Sequence, residues 1–322
     1  MAVHTGFVAH PSSRGVHREP TPLLGGVAIF VSFLVALAGG VAVRGVEGLM
    51  PILGFLGGGL LIFVMGVIDD KIDLSWFSKL LGQIVAAVLL LASGNTGGVF
   101  FLSPPGLVLS LVWIVGLTNA MNFLDNMDGV CTGIAAVVSL SFVGLGLMSG
   151  DTEMAALAAA LCGASLGFLR LNFHPARIFL GDAGSLFLGY SLAALGLKHI
   201  GHSELSVALL VPVVALAYPI FDITFVSVTR SVRGQSLTQG GKDHTSHRLA
   251  RIKHGTRPTA LAIYGICAGL GVVALLLERL AFAPAIVVGF LAVVFGLFAF
   301  GLRLARLAPV PEASPAPRAA TG

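Results

Sequence analysis

The stretch LMPILGFLGGGLLIFVMGVIDDKIDL, residues 49–74, runs from Leu49 to Ile68 without a charge, then meets Asp69, Asp70, Lys71 and Asp73 in quick succession. About 20 apolar residues are what a helix needs to cross the hydrocarbon core of a bilayer. The stretch therefore predicts a membrane span with acids gathered at its end. Outward from it the pattern repeats. Apolar segments are expected at 23–43, 49–68, 77–93, 105–122, 129–148, 153–171, 183–200, 205–229, 258–277 and 280–302. The predicted fold is an all-α polytopic membrane protein of about ten transmembrane helices.

Composition agrees and excludes a soluble domain. The chain has 322 residues, 56% hydrophobic and 11% charged, against roughly 25% charged in soluble proteins. Its 42 glycines predict close approach of helices, since small residues let transmembrane backbones meet. Cys131, Cys162 and Cys267 fall inside apolar runs without metal-ligand spacing and read as core residues. The first 20 residues are polar and lack the apolar core of a signal peptide, so the first span is expected to act as its own insertion signal. No internal repeat points to a two-half transporter.

Charge sets the orientation. Sixteen of the 19 Lys and Arg lie in one set of alternating loops; only Arg44, Lys198 and Arg279 lie in the other. The positive-inside rule puts the first set, with both termini, in the cytoplasm. The expected parts are a cytoplasmic segment at 1–22, a transmembrane catalytic domain at 23–302 with a large cytoplasmic loop at 230–257, and a disordered cytoplasmic tail at 303–322. The acids sort by type. Asp69, Asp70, Asp73, Asp125, Asp128, Asp182, Asp222 and Asp243 fall on the cytoplasmic side and only Asp151 outside. Glu47, Glu153, Glu204 and Glu278 are outside, with Glu19 and Glu312 inside. Carboxylates at the edge of hydrocarbon are costly and rare without a function. Eight at one face suggest a site for a divalent cation and, through it, phosphate.

Five constellations on that face carry chemistry. PTPLLGG, residues 20–26, joins a fixed extended entry to a glycine pair; an ordinary helix start is the plain alternative. Upstream, Arg14, His17 and Arg18 suit phosphates or a juxtamembrane anchor. GVIDDKIDL, residues 66–74, places Asp69 and Asp70 about 100° apart on a helix, so that each faces a different partner. NAMNFLDNMDG, residues 119–129, repeats Asn119, Asn122 and Asp125 every three residues along one helix face, with Asp128 following. These groups suit a nucleoside or hydrated Mg²⁺; interhelical glue is the alternative. RLNFHPARIFLGDAGSLFLG, residues 170–189, sets Asp182 where backbone amides at a helix start favour phosphate, with Asn172 and Phe179 suited to a base. GGKDHTSHRLARIKHG, residues 240–255, clusters Asp243, His244, His247 and Arg248 as donors for a diphosphate; a zinc pair or a solvated basic loop are alternatives. YPIFD, residues 218–222, puts Pro219 and Asp222 inside a span, where Asp222 pairs with an Arg or His for structure or function.

In this order the five constellations resemble the polyprenyl-phosphate N-acetylhexosamine-1-phosphate transferases over about Arg14 to Arg257. The resemblance is closer to the UDP-GlcNAc:undecaprenyl-phosphate GlcNAc-1-phosphate branch than to the phospho-N-acetylmuramoyl-pentapeptide branch. The latter shows GTPTMGG and a triple-histidine loop. This sequence has Ser246 where the usual His-x-His-His pattern has a histidine. Family members also carry a span before the PTP motif, where this sequence has residues 1–19.

The resemblance implies transfer of a HexNAc-1-phosphate from a cytoplasmic UDP-HexNAc to undecaprenyl phosphate, with release of UMP. It also implies Mg²⁺, with Mn²⁺ as a substitute, and the bacterial inner membrane. By motif, Asp182 and Asp69 match metal positions. Asp69, Asp70, Asp125, Asp128, His244 and His247 match catalytic ones. Asn119, Asn122, Asn172, Phe179, Arg248 and Lys79 match substrate-binding ones. No nucleic-acid partner is implied, and a homodimer is compatible. A transporter or lipid flippase is the non-enzymatic alternative; its site would lie near the bilayer midplane. An aspartyl protease using Asp182 and Asp222 would leave the other motifs unexplained.

Overall fold

A computed structural model of the chain describes residues 8–9, 21–44, 49–95, 103–201, 209–236, 241, 243–280 and 283–308. Arg14, His17, Arg18, Glu19, Pro20, Lys242 and the tail from 309 lie outside the described residues. The fold is helical: α1 (Gly25–Arg44), α2 (Leu49–Ile72), α3 (Trp76–Ala92), α4 (Pro104–Leu124), α5 (Val130–Ser149), α6 (Thr152–Asn172), α7 (Gly181–Gly201), α8 (Leu210–Ala215), α9 (Ala217–Val232), α10 (Thr245–Lys253), α11 (Thr256–Glu278) and α12 (Ala283–Leu307). Among the described residues the only sheet is a two-residue antiparallel bridge, Val8–Ala9 with Thr21–Pro22.

Among the described residues, six helices are long and apolar enough to cross a membrane: α2, α4, α5, α6, α11 and α12. The apolar parts of α1 and α3 are shorter. Local sequence sets the boundaries. Ser75 caps α3 by accepting from the Ser78 amide at 3.2 Å, and Ser103 caps α4 ahead of Pro104 and Pro105. Gly150 adopts φ +75° to end α5, and Asp151 at once caps α6 through the Met154 amide at 2.9 Å.

Two expectations are revised. The single span expected at 205–229 is broken into α8 and α9 at Leu216. Pro219 has no N–H to offer the carbonyl four residues back, so the helix cannot run through unbroken. The stretch 230–257, expected as a loop, contains a helix, α10, whose Thr245, Ser246, Arg248 and Leu249 are buried.

The centre of the molecule is α7, buried at nearly every position from Gly181 to Ile200. Against it pack α1, α2, α4 and α5, and the Trp113 indole of α4 donates to the Ala193 carbonyl at 2.9 Å. Among the described residues, Asp151, Glu153 and Glu278, the acids expected outside, lie at one end of α7; Glu47 and Glu204 lie outside the described residues. Lys198 pairs with Asp151 at 3.6 Å and Glu153 at 3.3 Å, and His199 with Glu278 at 3.2 Å. Asp182 stands at the other end, about 24 Å away at 1.5 Å per residue. The outward faces are apolar. Phe295 of α12 is 73% exposed and Val112 of α4 63%, as expected where lipid replaces water.

The start of α7 is reached by backbone rather than side chains. A Cβ on Gly26 of α1 would collide with the backbone of Ala183 and Gly184. One on Gly66 of α2 would collide with the backbone of Asp182 and Ala183. Gly66→Val is expected to destabilise the solubilised protein by at least about 1–3 kcal/mol, the range for overpacking a tight contact. Gly57→Ala, where a Cβ meets nothing within 4 Å, should be neutral or stabilising. Thermal unfolding in detergent compares them, and equal midpoints would refute the close approach.

Candidate active site

Asp69 and Asp70 close the last turn of α2, and their carboxyls diverge. Asp70 reaches α7, where Oδ1 accepts from the Asp182 amide at 2.7 Å and Oδ2 from the Ala183 amide at 3.1 Å. A carboxylate there satisfies unpaired N–H groups and complements the helix dipole. Gly181 precedes it at φ +73°, and a Cβ would meet the Asp70 oxygens. Asp69 turns the other way, accepting from the Leu74 amide at 2.7 Å and pairing with Lys79 of α3.

Lys79 bridges to Asp182 at 3.3 Å, and Asn122 of α4 donates to the same carboxyl at 2.8 Å and to Ser185 at 2.9 Å. Asn119, one turn back, exchanges hydrogen bonds with Gln83 of α3 at 2.7 and 3.3 Å. Asp125 has left the helix and caps α4. Burial, together with the charges of Asp182, Asp70 and Asp128, pushes its carboxyl up to about 8. The cluster gathers more carboxyl groups than its neighbouring cation, Lys79, can pair.

The other predicted residues lie around this cluster. Asp128 receives His174 Nδ1 at 2.7 Å and the Ala176 amide at 3.1 Å. Phe179, half-buried, donates its amide to the Pro22 carbonyl at 2.9 Å, and its own carbonyl accepts from Gly25 at 3.0 Å, which joins the PTP motif to the α7 entry. Asn172 is buried, with its amide fully engaged. Its oxygen accepts from Gly129 N–H at 3.1 Å and the Thr132 hydroxyl at 3.0 Å, and its nitrogen donates to the Ile178 carbonyl at 3.0 Å. That gives Asn172 a loop-fastening position. Arg248 is also buried. Its guanidinium donates to the Asp243 carbonyl at 3.1 Å and the Ala308 carbonyl at 3.0 Å, and lies over the Phe225 ring. It fastens α10 to α9 and to the end of α12.

His244 packs edge-on against Phe123, the residue after Asn122, and its ring lies 6.5 Å from that of His247. Ser246, where the resemblance expects a histidine, donates to Asn126 at 2.6 Å and ties α10 to the α4–α5 turn. Asp73 ends α2 in a left-handed conformation, outside the cluster.

Gln83, Ser185 and His174 have no role in the sequence reading. Gln83 was detectable: it is an amide inside an apolar run, four residues after Lys79 and so on the same helix face.

The oxygen-rich, negatively charged donor set suits a hard divalent cation. Among the described residues no three carboxyl or imidazole groups converge as a ready-made cage. Mg²⁺ does not require one, since it is commonly held by one or two carboxylates plus substrate phosphates.

Comparison with known proteins decides the family. Residues 52–200 match glycosyl transferase family 4. The chain is 34% identical over 275 residues to a Bacillus subtilis (strain 168) protein described as a probable undecaprenyl-phosphate N-acetylglucosaminyl 1-phosphate transferase, covering 82% of this chain and 75% of the relative. The chain belongs to glycosyl transferase family 4. Within the family it is also 34% identical over 298 residues to the decaprenyl-phosphate N-acetylglucosaminephosphotransferase of Mycobacterium tuberculosis (strain ATCC 25618 / H37Rv), covering 82% of this chain and 74% of that one. A phospho-N-acetylmuramoyl-pentapeptide-transferase of Shouchella clausii (strain KSM-K16) is 34% identical over 203 residues, covering 56% and 61%. The family match runs from α2 to α7 and so contains the whole carboxylate cluster; α10 lies beyond it.

Two stability predictions follow from the geometry. Asp70→Ala should lower stability by about 0.5–2 kcal/mol through loss of the α7 cap, read as a lower unfolding midpoint without substrate. An unchanged midpoint would remove Asp70 from that role. Asp243 forms two 2.7 Å bonds with Arg230. Burial would raise its carboxyl, but Arg230 outweighs this and holds it below the ordinary value. Its stabilisation is therefore present above the ordinary carboxylate range and lost as pH falls through the depressed value. Asp243→Asn should be destabilised by about 3–5 kcal/mol at neutral pH, and the gap to wild type should close in acid. A gap independent of pH would contradict the pairing.

Proposed function

We propose that this chain transfers a HexNAc-1-phosphate, GlcNAc-1-phosphate foremost, from a UDP-HexNAc to undecaprenyl phosphate. The products are a lipid diphosphate sugar and UMP, the first membrane step of an envelope polysaccharide. The observation that carries this is the meeting of Asp69, Lys79, Asn122, Asp125 and Asp182 at one end of an apolar bundle, with carboxyl groups outnumbering the cation among them. An amphiphilic acceptor needs its phosphate handled at a membrane interface, and a nucleotide diphosphate needs cations. We assign the cluster to the cytoplasmic face of a bacterial inner membrane, with about ten spans and both termini inside, on the strength of the loop charges.

Phosphoryl transfer depends chiefly on positioning and charge neutralisation. Mg²⁺, with Mn²⁺ as a substitute, would be held by Asp182 and Asp69 together with diphosphate oxygens; when bound it supplies charge neutralisation. Lys79 adds a cation between those two carboxyls. In the assigned reaction a lipid phosphate oxygen bonds to the β-phosphorus, the bridging P–O bond breaks, and UMP leaves. Asp69 orients or deprotonates the attacking phosphate. Asp70, engaged by the α7 amides, holds Asp182 in register. Asn122 orients Asp182, while Asn119 and Gln83 order the adjoining helices. Phe179 is assigned to the base, and Asp128 with His174 to the order of the neighbouring loop.

The wider coverage of the N-acetylglucosamine relatives, 82% against 56% for the muramoyl-pentapeptide relative, favours the simpler sugar. Purified protein with undecaprenyl phosphate, Mg²⁺ and a panel of UDP-GlcNAc, UDP-GalNAc and UDP-MurNAc-pentapeptide should release UMP, fastest with UDP-GlcNAc. A transporter would release none and show no UMP exchange. EDTA should abolish turnover and Mg²⁺ restore it. Asp69→Asn should lower kcat by about 100-fold or more. Near-normal turnover of both Asp69→Asn and Asp70→Asn at saturating Mg²⁺ would overturn these assignments.

A further inference from the structure

Several buried acids lie outside the carboxylate cluster, among them Asp151, Asp222 and Asp243. Asp222 of α9 is fully buried. Three donors converge on it: the Thr245 amide at 2.9 Å and the Thr245 hydroxyl, both on Oδ1, and His244 Nδ1 at 2.8 Å on Oδ2. Tyr218, one helical turn earlier, pairs with the same Thr245 hydroxyl at 2.9 Å. An ionised carboxylate only accepts hydrogen bonds. The ring nitrogen facing Asp222 is then the protonated one, and the ring cannot turn over without losing its partner. Among the described residues no hydrogen bond reaches the other nitrogen, Nε2. The His244 ring also rests against Phe123, between Asn122 and the α4–α5 turn.

We infer that Asp222 is a positioning residue for the transfer reaction: it fixes the His244 ring with Nδ1 protonated, so that the bare Nε2 is presented as an acceptor to a hydroxyl or N–H of the bound sugar nucleotide. The inference rests on the transferase reading for its substrate, but the Asp222–His244 geometry stands independently of it. It also gives the break at Leu216 a purpose. Tyr218 and Asp222 lie one turn apart on α9, on the helical stripe that meets the start of α10.

The substitution Asp222→Asn tests this sharply. The Thr245 N–H demands the single oxygen of the new side-chain amide, so the NH₂ of that amide would face His244 Nδ1 and require it to accept. The ring proton would then move to Nε2. Selective ¹⁵N-histidine labelling of the full chain in detergent reads the state directly, with the His244 signal identified by its loss in His244→Gln. The wild type should show Nδ1 protonated, and Asp222→Asn should show Nδ1 bare. An Nδ1 without a proton in the wild type overturns the positioning role, even if Asp222→Asn fails to fold.

Kinetics supplies the link to the reaction. In UMP release with UDP-GlcNAc, undecaprenyl phosphate and Mg²⁺, Asp222→Asn should lower kcat by about tenfold or more. Asp222→Glu should recover part of the loss. The same Asp222→Asn change should have little further effect in a His244→Gln background. Fully additive losses would make Asp222 merely structural and overturn the inference. No UMP release by the wild type would instead overturn the transferase reading, and with it the substrate assigned to His244.

Discussion

The Asp70 carboxylate at the start of α7 is the interaction on which the rest of the site depends. It accepts from the Asp182 and Ala183 amides and so links the end of α2 to the start of the most buried helix in the molecule. Free amides at a helix start are costly when water is scarce, and a carboxylate satisfies two of them while complementing the helix dipole. Gly26 and Gly66 let α1 and α2 approach the same point closely, and the PTP segment is held there by Gly25, Gly26 and Phe179 backbone bonds. The orientation of Asp182 follows from this junction.

Around it, like charge is concentrated rather than dispersed. Asp125 is raised by burial and by three neighbouring carboxylates, while Lys79 serves two acids at once. Such an arrangement is unfavourable unless a cation and phosphates complete it, and this is why it reads as a site rather than as structural polarity. The opposite end of α7 makes the contrast: Lys198 meets Asp151 and Glu153 in opposite-charge pairs, and His199 meets Glu278.

A second layer orders the periphery. Arg230–Asp243, Arg248 with the end of α12, and Ser246–Asn126 fasten α10 to three different parts of the bundle. Arg248 and Asn172 show why residue type alone misleads. Both are the kind of group that binds a nucleotide diphosphate or base, yet the fold engages both amide atoms of Asn172 and the Nε and Nη1 of Arg248. Gln83 is the reverse case, an amide inside an apolar run that the tertiary structure brings to Asn119.

The sequence by itself determined the helical membrane class and the motifs that gather. Apolar run length and the cost of charge in hydrocarbon act locally along the chain, so they can be read there. Only the tertiary structure decided which acid caps α7, which meets Lys79, and that Asp222 holds His244. These depend on hydrogen-bond partners up to 113 residues apart. A donor's direction is fixed by packing, and no pattern of neighbouring residues encodes it.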